Sequence, residues 1–174
     1  MKIKFLPFFL TIIFLTIFFV FYKSLQTSNI YTPKTNLEKN IPLFTADIFD
    51  SSKKISSEDI FKDNVYYLLN IWASWCAPCR EEHIFLMDLS KSKKIEIIGL
   101  NYKDKIDNAK KFLNDLESPY KIIISDLDGT LSIELGAYGV PESYLIYNKK
   151  ILKKVVGPIS TNSFSAINKL IKWK

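Results

Sequence analysis

The chain has 174 residues, 48% of them hydrophobic, which is enough for one ordinary core once an apolar N-terminal segment is set aside. Two cysteines and a single histidine leave a Cys/His zinc site short of its four ligands. The net charge of +6 comes with no finger spacing and no aromatic platform among the basic residues, so a nucleic-acid module is excluded as well.

Phe5 to Tyr22 carries no charge. As a helix this stretch reaches roughly 27 Å, against about 30 Å for bilayer hydrocarbon. Lys2 and Lys4 before it, and Lys23 after it, predict an uncleaved signal anchor over residues 1–23, with the leading end in the cytoplasm and the rest exported. Residues 24–40 are polar and aperiodic, and read as a tether that confines the following domain near the membrane.

A domain over residues 41–174 follows. Leu43 to Ile48 alternates as a short strand, and Ser56 to Phe61 has capping residues for a short helix. Val65 to Trp72 is a continuous apolar run, expected to be the central strand, covered on both faces. From Cys76 to about Ser90 the pattern turns helical, with Ile84, Leu86, Met87 and Leu89 as candidate core contacts and His83 on the helix surface. Ile95 to Asn101 is the next strand. Ile106, Ala109, Phe112, Leu113 and Leu116 form one face of an amphipathic helix, and Tyr120 to Ser125 is a further buried strand. This alternation predicts parallel pairing with right-handed crossovers. Ser143 to Tyr147 and Ile151 to Val156 then read as an antiparallel hairpin, and Phe164, Ile167, Leu170 and Ile171 as a closing helix. The lysines after Lys149 are expected to form a solvated face.

Chemistry concentrates in Trp75-Cys76-Ala77-Pro78-Cys79, directly after the central strand. If Cys76 opens the helix, the unpaired N–H groups and positive dipole end favour its thiolate, making it the nucleophile in disulfide exchange. Cys79, one turn further in, would resolve the mixed disulfide. A purely structural bridge across so short a loop would remove little unfolded-state entropy. Ser125-Asp126-Leu127-Asp128-Gly129-Thr130 reads like the first motif of haloacid-dehalogenase-type phosphatases. No paired Asp follows it, so a tight turn after a strand is the expectation.

The run Leu68-Leu69-Asn70-Ile71-Trp72-Ala73 through Arg80-Glu81-Glu82-His83 resembles the thioredoxin superfamily. Within it, the run resembles the CcmG/DsbE family, membrane-tethered thiol:disulfide interchange proteins of cytochrome c maturation. Gly99 to Asp104, Ser118-Pro119-Tyr120, Asp126 to Gly129 and Gly136 to Glu142 agree, so the resemblance spans about Ile41 to Gly157. It implies an α/β fold with a thioredoxin-like mixed sheet flanked by helices. A central insertion between Asn101 and Ser125 is implied too, in addition to the N-terminal transmembrane helix.

The resemblance also implies a cis Pro141 against the cysteine pair, with Val140 offering main-chain hydrogen bonds to an extended client. It puts Glu82 and Glu142 beside an active-site groove, where a carboxylate disfavours a thiolate but can relay a proton. Trp75, Pro78 and Tyr138 would complete the groove. Asn70 stands where thioredoxins proper have a buried Asp. The implied activity is a periplasmic, inner-membrane disulfide reductant needing no cofactor or metal. Its client would be apocytochrome c or a maturation component, and its electron donor a membrane thiol-reducing protein. A periplasmic disulfide oxidase and a redox-regulated binding module for cysteine-bearing clients are the alternatives.

Overall fold

The computed structural model describes residues 5–26 and 39–172. The expected tether falls largely on residues 27–38, outside the described residues. The chain divides into two compact units, Met1–Lys34 and Thr35–Lys174.

The first unit carries α1, Leu6–Gln26, with large apolar side chains from Phe8 to Tyr22 exposed. The helix continues past the boundary at residue 23 expected for it. Among the described residues, no helix is long and apolar enough to cross a membrane.

In the second unit the chain runs β1 (Thr45–Ile48), β2 (Lys54–Ser56), α2 (Ser57–Ile60), β3 (Tyr66–Trp72), α3 (Ala77–Ser90) and β4 (Ile95–Tyr102). It continues through α4 (Ile106–Leu116), β5 (Ile122–Asp126), α5 (Thr130–Glu134), β6 (Glu142–Tyr147), β7 (Lys150–Val156) and α6 (Thr161–Lys172). The strands form one seven-stranded sheet in the order β2-β1-β5-β4-β3-β6-β7. β3, β4 and β5 pair in parallel, and the remaining neighbours are antiparallel. The mixed sheet is therefore as expected, and α4 with β5 occupies the place of the central insertion.

β3 is central because its side chains serve both faces, and all seven residues are buried. Tyr67, Leu69 and Ile71 pack on one side with Phe61, Ile98, Leu100, Ile124, Leu131 and Tyr144. Tyr66 and Leu68 point the other way, onto Leu86 and Leu89 of α3 and Ile167 and Ile171 of α6. This is the period-2 alternation of a strand with two covered faces. Each fully buried Leu or Ile contributes about 1.5–3 kcal/mol relative to exposure. Across the parallel pair Asn70 sits opposite Gly99. A Cβ at Gly99 would come within 2.9 Å of both Trp72 Nε1 and the Tyr120 ring, so the glycine is required by a close approach beneath the site.

Two elements went unanticipated. β2 pairs only with β1 at the sheet edge, and three residues are too few to show a period. α5 is a short helix begun by Gly129 at φ 83°. Ser56 caps α2 as expected, its Oγ accepting from Asp59 N–H. The β6–β7 hairpin turns on Asn148 and Lys149, both with positive φ, as a two-residue primed turn requires. Ile84 is 66% exposed rather than in the core, because α3 turns Leu86 and Leu89 inward and leaves that position to solvent.

Candidate active site

β3 ends at Trp72, and a short turn closed by Cys76 N–H donating to Ala73 O at 3.3 Å leads into α3. Asp104, from the loop after β4, braces this turn. Its carboxylate accepts from Ser74 N–H at 2.5 Å, Ser74 Oγ–H at 2.7 Å, the Asn101 side-chain amide at 3.1 Å and Lys105 N–H at 2.8 Å. Cys76 is the N-cap of α3, with extended backbone, and its Sγ accepts from Cys79 N–H at 3.2 Å. A sulfur there replaces the usual Ser or Asp oxygen. Pro78 occupies the first turn, where its missing N–H breaks no helical bond.

The two sulfurs form a disulfide, with Cα atoms 5.3 Å apart. Both residues are buried, Cys76 at 5% and Cys79 at 2% exposure, so Cys79 is the more enclosed. After reduction, the dipole and free N–H groups at the helix start favour a thiolate on Cys76. The pair can thus carry two electrons.

The Val140–Pro141 peptide is cis. Val140 packs against the cluster of Trp72, Ala73, Cys76, Cys79, Ala109 and Phe112. Pro141 is buried, while Pro78, Trp75 and Tyr138 are exposed, the last two at 58% and 68%. Trp75 is not loose: its Nε1–H donates to Lys103 O at 3.0 Å.

Glu82 and Glu142 do not line an open groove. Glu82 has no exposed surface, because α3 turns this position inward against Asn70 of β3 and the main chain at Ile159. Its Oε1 accepts from Asn70 Nδ2–H at 2.8 Å and its Oε2 from Ile159 N–H at 2.7 Å. Asn70 Nδ2 also donates to Ser143 Oγ at 3.0 Å, and Asn70 Oδ1 accepts from Tyr120 O–H at 2.8 Å. Burial pushes the Glu82 carboxyl up to about 7, against the opposing pull of the Ile159 and Asn70 hydrogen bonds. Tyr120, half-buried with its hydroxyl bonded to Asn70 near Glu82, is held well above the usual phenol range by desolvation.

Glu142 is 1% exposed. It accepts from Tyr138 N–H at 2.7 Å and Tyr144 O–H at 3.2 Å, and pairs with Lys154 at 2.9 Å. His83 is buried too, not on the helix surface. Its Nε2 lies 3.1 Å and 3.0 Å from the carbonyls of Leu116 and Glu117, so that nitrogen carries the proton. Its ring meets Phe112 edge-on, and burial lowers its pKa.

Four polar residues that brace the surroundings of the site escaped sequence reading: Tyr120, Ser143, Asp104 and Lys154, the last expected on a solvated face but with its side chain only 7% exposed. Each has a polar group whose role depends on a partner from a distant segment: Asn70 for Tyr120 and Ser143, Ser74 for Asp104, and Gly136 for Lys154. Asp126 has a different explanation from the phosphatase motif. Its oxygens accept from Leu131 N–H, Ser132 N–H and Ser132 Oγ–H, and Asp128 accepts from Thr130 N–H. Both carboxylates hold the start of α5.

A reactive pair at the start of a helix that leaves the central strand of a mixed sheet, with the residue before a cis proline packed on the cysteine cluster, defines a thioredoxin-fold thiol:disulfide oxidoreductase. The Redoxin family model matches residues 37–171. The chain is 37% identical over 169 residues to thiol:disulfide interchange protein DsbE of Vibrio cholerae, covering 94% of this chain and 89% of that protein. It is 50% identical over 96 residues to thiol:disulfide interchange protein CycY of Rhizobium leguminosarum, covering 55% and 51%. The crystal structure of a protein described as DsbE from Chlorobium tepidum superposes with TM-score 0.67 at 25% identity, over 79% of this chain and 96% of that one. This chain belongs to the CcmG/DsbE family of thiol:disulfide interchange proteins, within the Redoxin family.

Proposed function

We propose that this oxidoreductase works as a reductant in cytochrome c maturation, held at the periplasmic face of the inner membrane by α1. The observation that carries the direction is Glu82, a fully buried carboxylate one turn after Cys79. When ionised, Glu82 puts a negative charge one turn from Cys79. It disfavours a thiolate above it, whereas strong oxidants of this fold gain their potential from a stabilised reduced form. With a pKa of about 7, Glu82 is suited to take or return a proton as Cys79 changes between thiol and thiolate.

In the forward reaction Cys76 thiolate attacks one sulfur of a client disulfide. A Cys76–client bond forms, the client S–S bond breaks, and one client thiolate leaves. Cys79 thiolate then attacks Cys76 Sγ, closing the Cys76–Cys79 disulfide and releasing the second client thiolate. Two electrons pass to the client, whose sulfurs take up two protons. The names of the Vibrio and Rhizobium relatives support disulfide interchange, and the family resemblance suggests the haem-binding cysteine pair of apocytochrome c, or a maturation component, as client. A membrane thiol-reducing protein would re-reduce the pair.

Anchoring rests on the uncharged run from Phe5 to Tyr22 and on the exposed apolar side chains of α1. Among the described residues no helix is long and apolar enough to cross a membrane. Support for the anchor therefore comes also from the sequence, where Lys2, Lys4 and Lys23 flank the uncharged run with side chains that can reach lipid headgroups.

The deciding experiment is the equilibrium reduction potential of the full chain in detergent against a glutathione series, followed by Trp fluorescence. A value near that of thioredoxin, about −270 mV, supports the reductant. A value near that of DsbA, about −120 mV, overturns it and makes the same site a disulfide donor. Fractionation tests the anchor: extraction of the full chain by alkaline carbonate would defeat the membrane-spanning reading.

A further inference from the structure

Lys154 lies on β7, far in sequence from the cysteine pair, yet its side chain is only 7% exposed. A buried ammonium is costly unless it is paired and hydrogen-bonded. Its Nζ stands 2.9 Å from Glu142 Oε2, donates to Gly136 O at 2.7 Å, and lies 4.2 Å from the Tyr138 ring centre and 5.3 Å from that of Tyr144. Glu142 holds the other side of the same segment through Tyr138 N–H.

Residues 136–140 belong to no helix or strand, and Gly136 sits at φ 75°. The segment's start is fixed by two main-chain bonds, from Gly136 N–H to Ile133 O and from Ala137 N–H to Ser132 O; its Gly136 carbonyl and Tyr138 ring are held by Lys154, and its Tyr138 N–H by Glu142. It runs directly into cis Val140–Pro141, and Val140 packs on the cysteine cluster. Tyr138 meanwhile presents an exposed ring to solvent.

We propose that Lys154 is a positioning residue for client recognition: with Glu142 it holds Tyr138 and the main chain entering Val140–Pro141 in the form that receives an extended, cysteine-bearing peptide. This rests on the reading that peptide disulfides are clients. Lys154 touches neither the sulfurs nor the client, so its effect falls on peptide binding rather than on the intrinsic chemistry of the pair.

The test uses the full chain in detergent, dithiothreitol as electron source, and two substrates: a synthetic peptide with an oxidised Cys-x-x-Cys-His loop, and glutathione disulfide, which is too small to span the segment. Lys154→Met should raise the peptide KM about tenfold with kcat within about twofold, and shift glutathione disulfide reduction by less than about twofold. Lys154→Arg, which keeps the charge, should recover most of the peptide KM. Tyr138→Ala removes an exposed ring without disturbing the core and should reproduce the KM rise. It decides the matter should Lys154→Met fail to fold. A parent-like peptide KM in Tyr138→Ala, or an equal loss on both substrates in Lys154→Met, overturns the assignment. If the parent protein reduces glutathione disulfide but not the peptide, the peptide-client reading itself falls, and this inference with it.

Discussion

Asn70 on β3 and Glu82 on α3 are joined by a 2.8 Å hydrogen bond with no solvent access to either side chain. Asn70 can only donate its N–H groups to the carboxylate; it cannot accept a proton. Of this pair only Glu82 can take up a proton, and Tyr120 O–H completes the amide's bonding from the other side.

Glu82 makes the protein less stable as pH rises. Its folded pKa of about 7 exceeds the ordinary 4.5, so between these values the native state binds the extra proton. The advantage is complete below pH 4.5 and disappears as pH climbs to about 7. Two to three pKa units correspond to about 3 kcal/mol, an order-of-magnitude figure. Urea unfolding of the oxidised protein between pH 5 and pH 8 should show this fall, and Glu82→Gln should flatten most of it. A parent profile that rises with pH would contradict the assignment.

Asn70→Asp places a second carboxylate against Glu82. Two such groups cannot both ionise in a buried site, so one pKa rises further and the pair titrates jointly. The variant should lose about 2–4 kcal/mol at pH 8 and much less at pH 5. Equal losses at the two pH values would point to a steric effect.

Asp104→Ala removes four hydrogen bonds at once, two of them to Ser74 in the turn before Cys76. Leaving those donors without the carboxylate should cost about 2–3 kcal/mol, read as a lower urea midpoint. Because the turn sets the start of α3, the rate of Cys76 alkylation in the reduced protein should change as well, whereas Asp104→Asn should retain part of both properties.

Cys79→Ser leaves Cys76 able to attack but unable to be released. In cells, this variant should accumulate mixed disulfides that dithiothreitol dissolves, and Cys76→Ser should accumulate none. Mixed disulfides from Cys76→Ser and none from Cys79→Ser would reverse the roles of the two sulfurs, and equal yields would remove the distinction between them.

The reactive pair and the strands around it were legible because their signals are local. Val65 to Trp72 is a continuous apolar run separated from Cys76 by three residues, and the amphipathic face from Ile106 to Leu116 repeats every three or four residues. The Asp128-Gly129 turn could be read from its residue types, and Gly129 indeed adopts positive φ. Glu82, His83 and Glu142 were read as groove or surface side chains because a charged or polar residue on an amphipathic pattern ordinarily faces water.

The sequence by itself determined the chemistry: one Cys-x-x-Cys at a strand-to-helix junction, a proline before a hairpin, and the periodicities that build a sheet covered on both faces. Only the tertiary structure decided which polar groups would be taken out of water. Glu82 is buried because Asn70 and Ile159 N–H, 12 and 77 residues away, converge on its two oxygens. Glu142 is buried because Lys154 reaches it across the β6–β7 pair. Burial of a charge is tolerated only when its partners arrive together, and such convergence between distant segments exists only once the chain has folded.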